Sequence, residues 1–179
     1  MKAPARPVVL ALGSNLGDRR DILQGCVDAI AGIPEVQLMA VSPVYETVPV
    51  GGPPQPDYLN AVLLARITVP SRALLDQLHQ IEAAFSRVRE VRWGPRTLDI
   101  DIITVDGEVS ADPALTLPHP RAHERAFVLA PWHDLDPQAV LPGYGNVATL
   151  LAATDASGIR RADLKLLLPN GEPGPRGQR

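Results

Sequence analysis

The sequence predicts an α+β fold: a four-stranded antiparallel sheet with two helices on one face, its elements in the order βαββαβ. Three observations carry that expectation. Apolar residues alternate with period two through 58–69 and 98–103, the spacing of half-buried strands. They recur every three or four residues through 22–30 and 74–85, the spacing of amphipathic helices. Turn-forming clusters separate these segments, with no internal repeat and no domain linker.

Each element has its own warrant. Residues 7–12 are an apolar run suited to a buried strand, ended by the turn-like Gly13-Ser-Asn-Leu-Gly17. Asp18 can cap a helix whose Ile22, Cys26 and Ile30 form a stripe, with Leu23 and Val27 beside it and Gly32 and Pro34 as its stop. A second strand is expected over 36–47. The stretch 48–57 holds four prolines and two glycines and is a long loop. The third strand, 58–69, has Leu59, Ala61, Leu63, Ala65 and Ile67 on one face. Pro70 and Ser71 open a helix with Leu74, Leu78, Ile81 and Phe85 along one side. After a loop through Trp93-Gly-Pro95, the fourth strand ends at the hairpin turn Asp106-Gly107. This order is the split βαβ or ferredoxin-like unit, which leaves one sheet face free. C-terminal additions follow: a strand at 115–117, helices at 124–129 and 147–153, and an edge strand at 164–168. One domain is expected over 1–168, with a disordered tail over 169–179.

Composition narrows the function. The chain has 179 residues, 45% hydrophobic and 21% charged, enough for one sizeable core. No apolar run reaches membrane-span length, and no signal-peptide core follows the basic start, so a cytoplasmic protein is expected. Cys26 is the only cysteine, which excludes an intrachain disulfide and a cysteine metal cluster. The net charge of −3 gives no nucleic-acid surface. Lysines occur only at positions 2 and 165, whereas Arg87, Arg89, Arg92 and Arg96 crowd one loop. Guanidinium forks suit phosphate, although a solvated loop carries them too.

The fourth strand contains an anomaly. Leu98, Ile100 and Ile102 face the helices, so Asp99 and Asp101 stand on the opposite face, about 7 Å apart. Like charges on one face of a strand repel, and Asp is a poor strand former. A shared divalent cation would offset that cost. Hard oxygen ligands without Cys or His nearby suit Mg²⁺, completed by water and substrate phosphates. Tyr58 and Asn60 share the aspartates' face and fit a flat, hydrogen-bonding heterocycle, or simply a solvated surface. Glu82 falls within the apolar arc of its helix, as a functional carboxylate or as one snorkelling out near the helix end. The Gly13–Gly17 turn lacks the Gly-Lys-Ser/Thr ending of a Walker loop. His119 and His123 are spaced for zinc on a helix, but Pro118 and Pro120 oppose a helix there.

With these residues assembled, the chain resembles the 6-hydroxymethyl-7,8-dihydropterin pyrophosphokinases of the folate pathway. The likeness runs through Leu12-Gly-Ser-Asn-Leu16, Pro56-Asp-Tyr-Leu-Asn60, Arg92-Trp-Gly-Pro-Arg-Thr-Leu-Asp-Ile-Asp101, Leu117-Pro-His119 and Arg125-Ala-Phe127. It implies transfer of pyrophosphate from ATP, the co-substrate, to the pterin hydroxymethyl oxygen, with AMP released. Two Mg²⁺ ions would be held by Asp99 and Asp101. Asn15, Thr47, Tyr58, Asn60 and Phe127 match pterin-binding positions, the ring stacked between Tyr58 and Phe127. Glu82, Arg87, Arg89, Trp93, Arg96, Ile102, Thr116, His119 and Arg125 would serve ATP, with Arg87 and Arg96 acting in catalysis at the phosphates. Partners would be these small molecules alone, with no nucleic acid and no membrane, and the chain a monomer. His79, Ala114 and Pro120 depart from the pattern, which bears on adenine and ribose contacts. A palm-like nucleotidyltransferase or a ferredoxin-like binding module are the competing readings, and the loops 48–57 and 87–95 are expected to close over bound ligands.

Overall fold

Strand β1 (Arg6–Ser14) is apolar on both faces from Val8 to Leu12, as a central strand covered on both sides must be. It lies between β4 (Tyr58–Ile67) and β5 (Asp99–Val105), antiparallel to both. The structure, a computed structural model, describes residues 3–85 and 97–171. Helix α1 (Arg19–Ala31) follows β1, then β2 (Val36–Val41) and β3 (Tyr45–Thr47), which share the far flank of β4. Helix α2 (Ser71–Phe85) connects β4 to β5. A small hairpin, β6 (Ser110–Asp112) and β7 (Leu115–Leu117), leads through a 3₁₀ turn (Ala122–Glu124) into α3 (Ala126–Leu135). The ribbon β8 (Val140–Leu141) and β9 (Gly145–Asn146), then α4 (Val147–Ala153) and β10 (Ile159–Arg161), follow. Among the described residues the outcome is a mixed α/β fold on a six-stranded antiparallel sheet with four helices.

Helices α1 and α2 cover one sheet face, as expected. Asp18 caps α1 by accepting the Asp21 amide at 3.0 Å, and Leu23, Cys26, Val27 and Ile30 are buried beneath it. Together with Leu74 and Leu78 of α2 they enclose Leu10, Leu12, Leu63, Ile100 and Ile102.

The second face is not left free. Val9, Val62 and Ile103 are buried under Val128, Leu129 and Trp132 of α3, joined by Leu141 and Val147. Helix α3 runs well past the 124–129 expected, because Trp132 and Leu135 bring further apolar surface to this face. A register shift in the β1–β5 pairing accommodates Ile103 on it.

Three other expectations are corrected. The 36–47 strand breaks at Pro43, which has no amide to continue the ladder; Ser42 instead accepts the Val62 N–H at 2.9 Å and donates to the Pro43 carbonyl. The first strand does not end at Leu12 but continues through Gly13 to Ser14. Residues 164–168 form no strand. Leu166 and Leu168 pack into the helix-side core, and the Gln24 amide holds the Leu167 backbone by both its N–H and its carbonyl, at 2.9 Å each. The edge strand is β10, paired with β3. Residues 169–171 form a turn in which Gly171 donates to Leu168 O. The remaining tail, the loop 87–95 with its expected closure, and Arg87, Arg89, Arg92, Trp93 and Arg96 lie outside the described residues.

Candidate active site

The antiparallel register sets the site out in rows. Asn60, Gly13 and Asp99 are direct neighbours across β4, β1 and β5. One row along, Val62, Ala11 and Asp101 are neighbours in the same way. By strand parity both aspartates stand on the face turned away from α1 and α2. Both are partly exposed, whereas Ile100 between them is 3% exposed and belongs to the core.

Cations and dipoles gather around Asp101. Its Oδ2 lies 3.5 Å from Arg125 Nη1 and 3.8 Å from His119 Nε2. His119 is brought there by backbone pairing, its N–H donating to Ile103 O at 2.8 Å. Its Nδ1 accepts the Arg121 N–H at 3.1 Å, which places the ring proton on Nε2, toward the carboxylate. Burial lowers the His119 pKa to about 4, with Arg125 and Arg121 adding to the shift against the pull of Asp99. The imidazole is therefore neutral near pH 7. Arg125, whose own pKa is lowered chiefly by burial, also lies over the Phe127 ring at 5.6 Å.

The neighbouring end of the face is an amide-and-hydroxyl patch. Asn60 donates to Thr47 Oγ1 at 2.8 Å, and both side chains are buried. Tyr58 pairs with Thr47 across the strands. Asn15, 1% exposed, donates to Gln55 Oε1 at 2.8 Å and to Pro56 O at 3.1 Å. It thereby pins the end of the 48–57 loop, and Arg19 adds a bond to Asp57 O at 2.7 Å.

Not every expected residue meets these groups. Thr116 lies on the β6–β7 hairpin and donates to Asp112 O. The Ile102 side chain is in the core on the helix side. Glu82 is buried rather than snorkelling, and its Oε1 accepts the Ile100 N–H at 2.8 Å. It lies close enough to Cys26 to add to the burial that raises that thiol's pKa. Gly13 was legible only as a turn residue; the signal that it belongs to this face was its parity with Val9 and Ala11. Gln55, the partner of Asn15, had no sequence signal at all.

Residues 9–137 match the model of the 7,8-dihydro-6-hydroxymethylpterin-pyrophosphokinase (HPPK) family. The chain belongs to that family. A 2-amino-4-hydroxy-6-hydroxymethyldihydropteridine pyrophosphokinase of Pseudomonas aeruginosa is 43% identical over 86% of this chain and 95% of its own length. One from Mycobacterium leprae is 43% identical over 93% of this chain and 94% of its own. Among solved structures, a Plasmodium falciparum wild-type HPPK-DHPS with pterin and p-hydroxybenzoate superposes with a TM-score of 0.66. It shares 14% identity over 93% of this chain, which spans 46% of that protein's length. An HPPK-DHPS in complex with substrates gives 0.68 at 13% identity, with 92% and 48% covered. At such identities the superpositions establish fold alone. The HPPK chain described here is an enzyme, a kinase transferring pyrophosphate to hydroxymethyldihydropterin in folate biosynthesis, and the nucleotidyltransferase and binding-module readings fall.

Proposed function

We propose that the face holding Asp99, Asp101 and Asn60 is where this pyrophosphokinase acts, with ATP as co-substrate and Mg²⁺ on the aspartates. The observation that carries the reading is the paired carboxylates, Asp99 in the same cross-strand row as Asn60 of the amide-and-hydroxyl patch and Asp101 in the next, with Arg125 and a neutral His119 beside Asp101. The donor set fits Mg²⁺. Among the described residues no three His, Cys, Asp or Glu side chains converge to hold a metal. Two carboxylates can therefore supply only part of a shell, which suits an ion that keeps waters and takes phosphate oxygens. Two such ions, when bound, would neutralise the triphosphate and lower the pKa of the hydroxyl.

The protein's own groups divide the remaining work. Asn60 and Thr47, fixed by their mutual bond, present the Asn60 carbonyl to the pterin's amino and ring N–H groups. Tyr58 and Phe127 would stack on its faces, and Asn15 holds the adjoining loop. Arg125, released from Asp101 as metal charge arrives there, would turn to the phosphates, and the His119 Nε2–H would donate to a phosphate oxygen. Thr116 would border the nucleotide, while Glu82 and Ile102 would act from behind the strand, Glu82 by holding the Ile100 N–H between the two aspartates and Ile102 by packing in the core. Arg89 and Trp93 would contact it, and Arg87 and Arg96 would steady charge on the transferred group. The hydroxymethyl oxygen attacks the β-phosphorus, the bond from that phosphorus to the α–β bridging oxygen breaks, and AMP leaves.

The strand order β2–β4–β1–β5, with α1 and α2 on one face, supports a ferredoxin-like βαββαβ core that, with its C-terminal additions, forms one domain over 1–168. One chain supplies every group named, which supports a monomer, and the ATP pool of the cytoplasm supports action there. Incubation with Mg²⁺, ATP and 6-hydroxymethyl-7,8-dihydropterin should yield equal amounts of AMP and pterin diphosphate. Release of ADP or pyrophosphate in place of AMP would overturn the reading.

A further inference from the structure

The floor of the site contains a residue that neither the backbone nor the core requires. Gly13 sits inside a central strand, paired with Asn60 on one side and Asp99 on the other. Its φ is outside the left-handed region, so its conformation suits any residue. A glycine there weakens the strand, and such a position often marks close approach of a ligand or another backbone. Side chains on this face shrink toward it, from Val9 under α3, to Ala11 beside Asp101, to none at Gly13. A Cβ at Gly13 would lie 3.0 Å from Asn60 Oδ1 and 3.8 Å from Tyr58 Cδ1.

We propose that Gly13 is a specificity-determining residue: its missing side chain leaves the notch that receives the hydroxymethyl arm of the substrate. The inference rests on the site reading above. Neighbouring strands are about 4.8 Å apart, so the Asn60 and Asp99 backbones stand about 10 Å from each other with Gly13 midway. A pterin ring held by Asn60 and Tyr58 must extend its arm toward the aspartates across that gap. A methyl group at Gly13 would occupy the path of the arm and press on the Asn60 carbonyl. The ring would keep most of its contacts, since Asn60 can yield by a few tenths of an ångström.

The test compares two ligands on wild type and Gly13→Ala: 6-hydroxymethyl-7,8-dihydropterin, and 7,8-dihydropterin without the arm. Overpacking at this scale should weaken the first ligand about tenfold or more. The armless ligand, a Mg²⁺-bound non-hydrolysable ATP analogue, and the melting temperature should be nearly unchanged. Equal weakening of both pterins, or of neither, would overturn the notch. Wild-type protein that binds no hydroxymethylpterin would instead overturn the site reading. Should Gly13→Ala fail to fold, wild type answers the same question with a ligand methylated on the arm carbon. Its binding should fall by a similar factor, and undiminished binding would overturn the inference.

Discussion

The two ends of one sheet face have opposite fates. At one end Val9, Val62 and Ile103 are sealed under α3, with Trp132 4% exposed among them. At the other, two to four residues further along the same strands, stand Gly13, Asn60, Asp99 and Asp101. Apart from the register shift beside Ile103, the strands alternate in the same way at both ends, so backbone geometry does not explain the difference. Side-chain chemistry does. Apolar groups at the first end gain by excluding water, at roughly 25 cal/mol per Å². Carboxylates under the same helix would face a desolvation cost of several kcal/mol each. The helix has to stop short of them, and its N-terminal Arg125 and Phe127 reach the boundary. One end should thus govern stability and the other chemistry, and substitutions can separate the two.

The largest effect is expected at the polar end. Asp99→Asn and Asp101→Asn should each lower kcat by about a thousandfold, by removing charge that the transferring phosphoryl group requires. Neither should lower the melting temperature, because relief of like-charge repulsion offsets any lost pairing. AMP release and a thermal melt on the same samples check both halves. Near-normal turnover in either variant would remove the aspartates from the chemistry.

Trp132→Ala probes the sealed end. Loss of a buried indole typically costs about 3–5 kcal/mol, a drop of roughly 10 °C or more in a chain of this size. Turnover per folded molecule should stay within about threefold of wild type below the transition. A large fall in kcat at full folding would show that the two ends are coupled.

A smaller effect should come from Thr47→Val, within the polar patch. It leaves the buried Asn60 N–H without its 2.8 Å acceptor, at a cost of about 1–3 kcal/mol. A loosened Asn60 should raise the pterin KM about tenfold while the affinity for a Mg²⁺-bound ATP analogue holds. Steady-state kinetics and calorimetry distinguish the two, and an unchanged KM would show that Asn60 does not depend on Thr47.

How legible each end was in the sequence follows from the range of the interactions that built it. Alternation in 58–67 and 99–103 is local, so the parity that puts Asp99, Asp101 and Asn60 on one face could be read directly. Covering the second face is not local: Trp132 must travel across the sheet to meet Val62, and no period in 126–135 names its target. The same holds for Leu166 and Leu168, whose strand-like alternation is satisfied by α1 and the Gln24 amide instead of a neighbouring strand. The break at Pro43 was legible in principle from its missing amide. The role of Gly13 was hidden because Gly-Ser-Asn is also good turn chemistry, and only pairing on both flanks keeps it in the strand.

The smallest expected effect lies at the boundary between the two ends, in His119. Its side chain is 17% exposed, and burial holds its pKa at about 4 against an ordinary 6.5. The groups that face it are Arg125 and Arg121, which disfavour the imidazolium, and Asp99 and Asp101, which favour it. In ligand-free, metal-free protein the unfolded chain therefore takes up this proton first as pH falls. The contribution to stability is whole above pH 6.5 and is lost as pH falls toward 4, with a slope of at most about 1.4 kcal/mol per pH unit. His119→Gln removes the titration while keeping a polar side chain. Its denaturation midpoint should fall less steeply between pH 6.5 and 4.5 than that of wild type. Both proteins share the carboxylates that titrate lower, such as Glu46 and Glu108, so subtracting the two curves isolates the imidazole. Parallel curves would mean that the ring is not held neutral by its position, and that Asp101 and the arginines balance around it in the empty site.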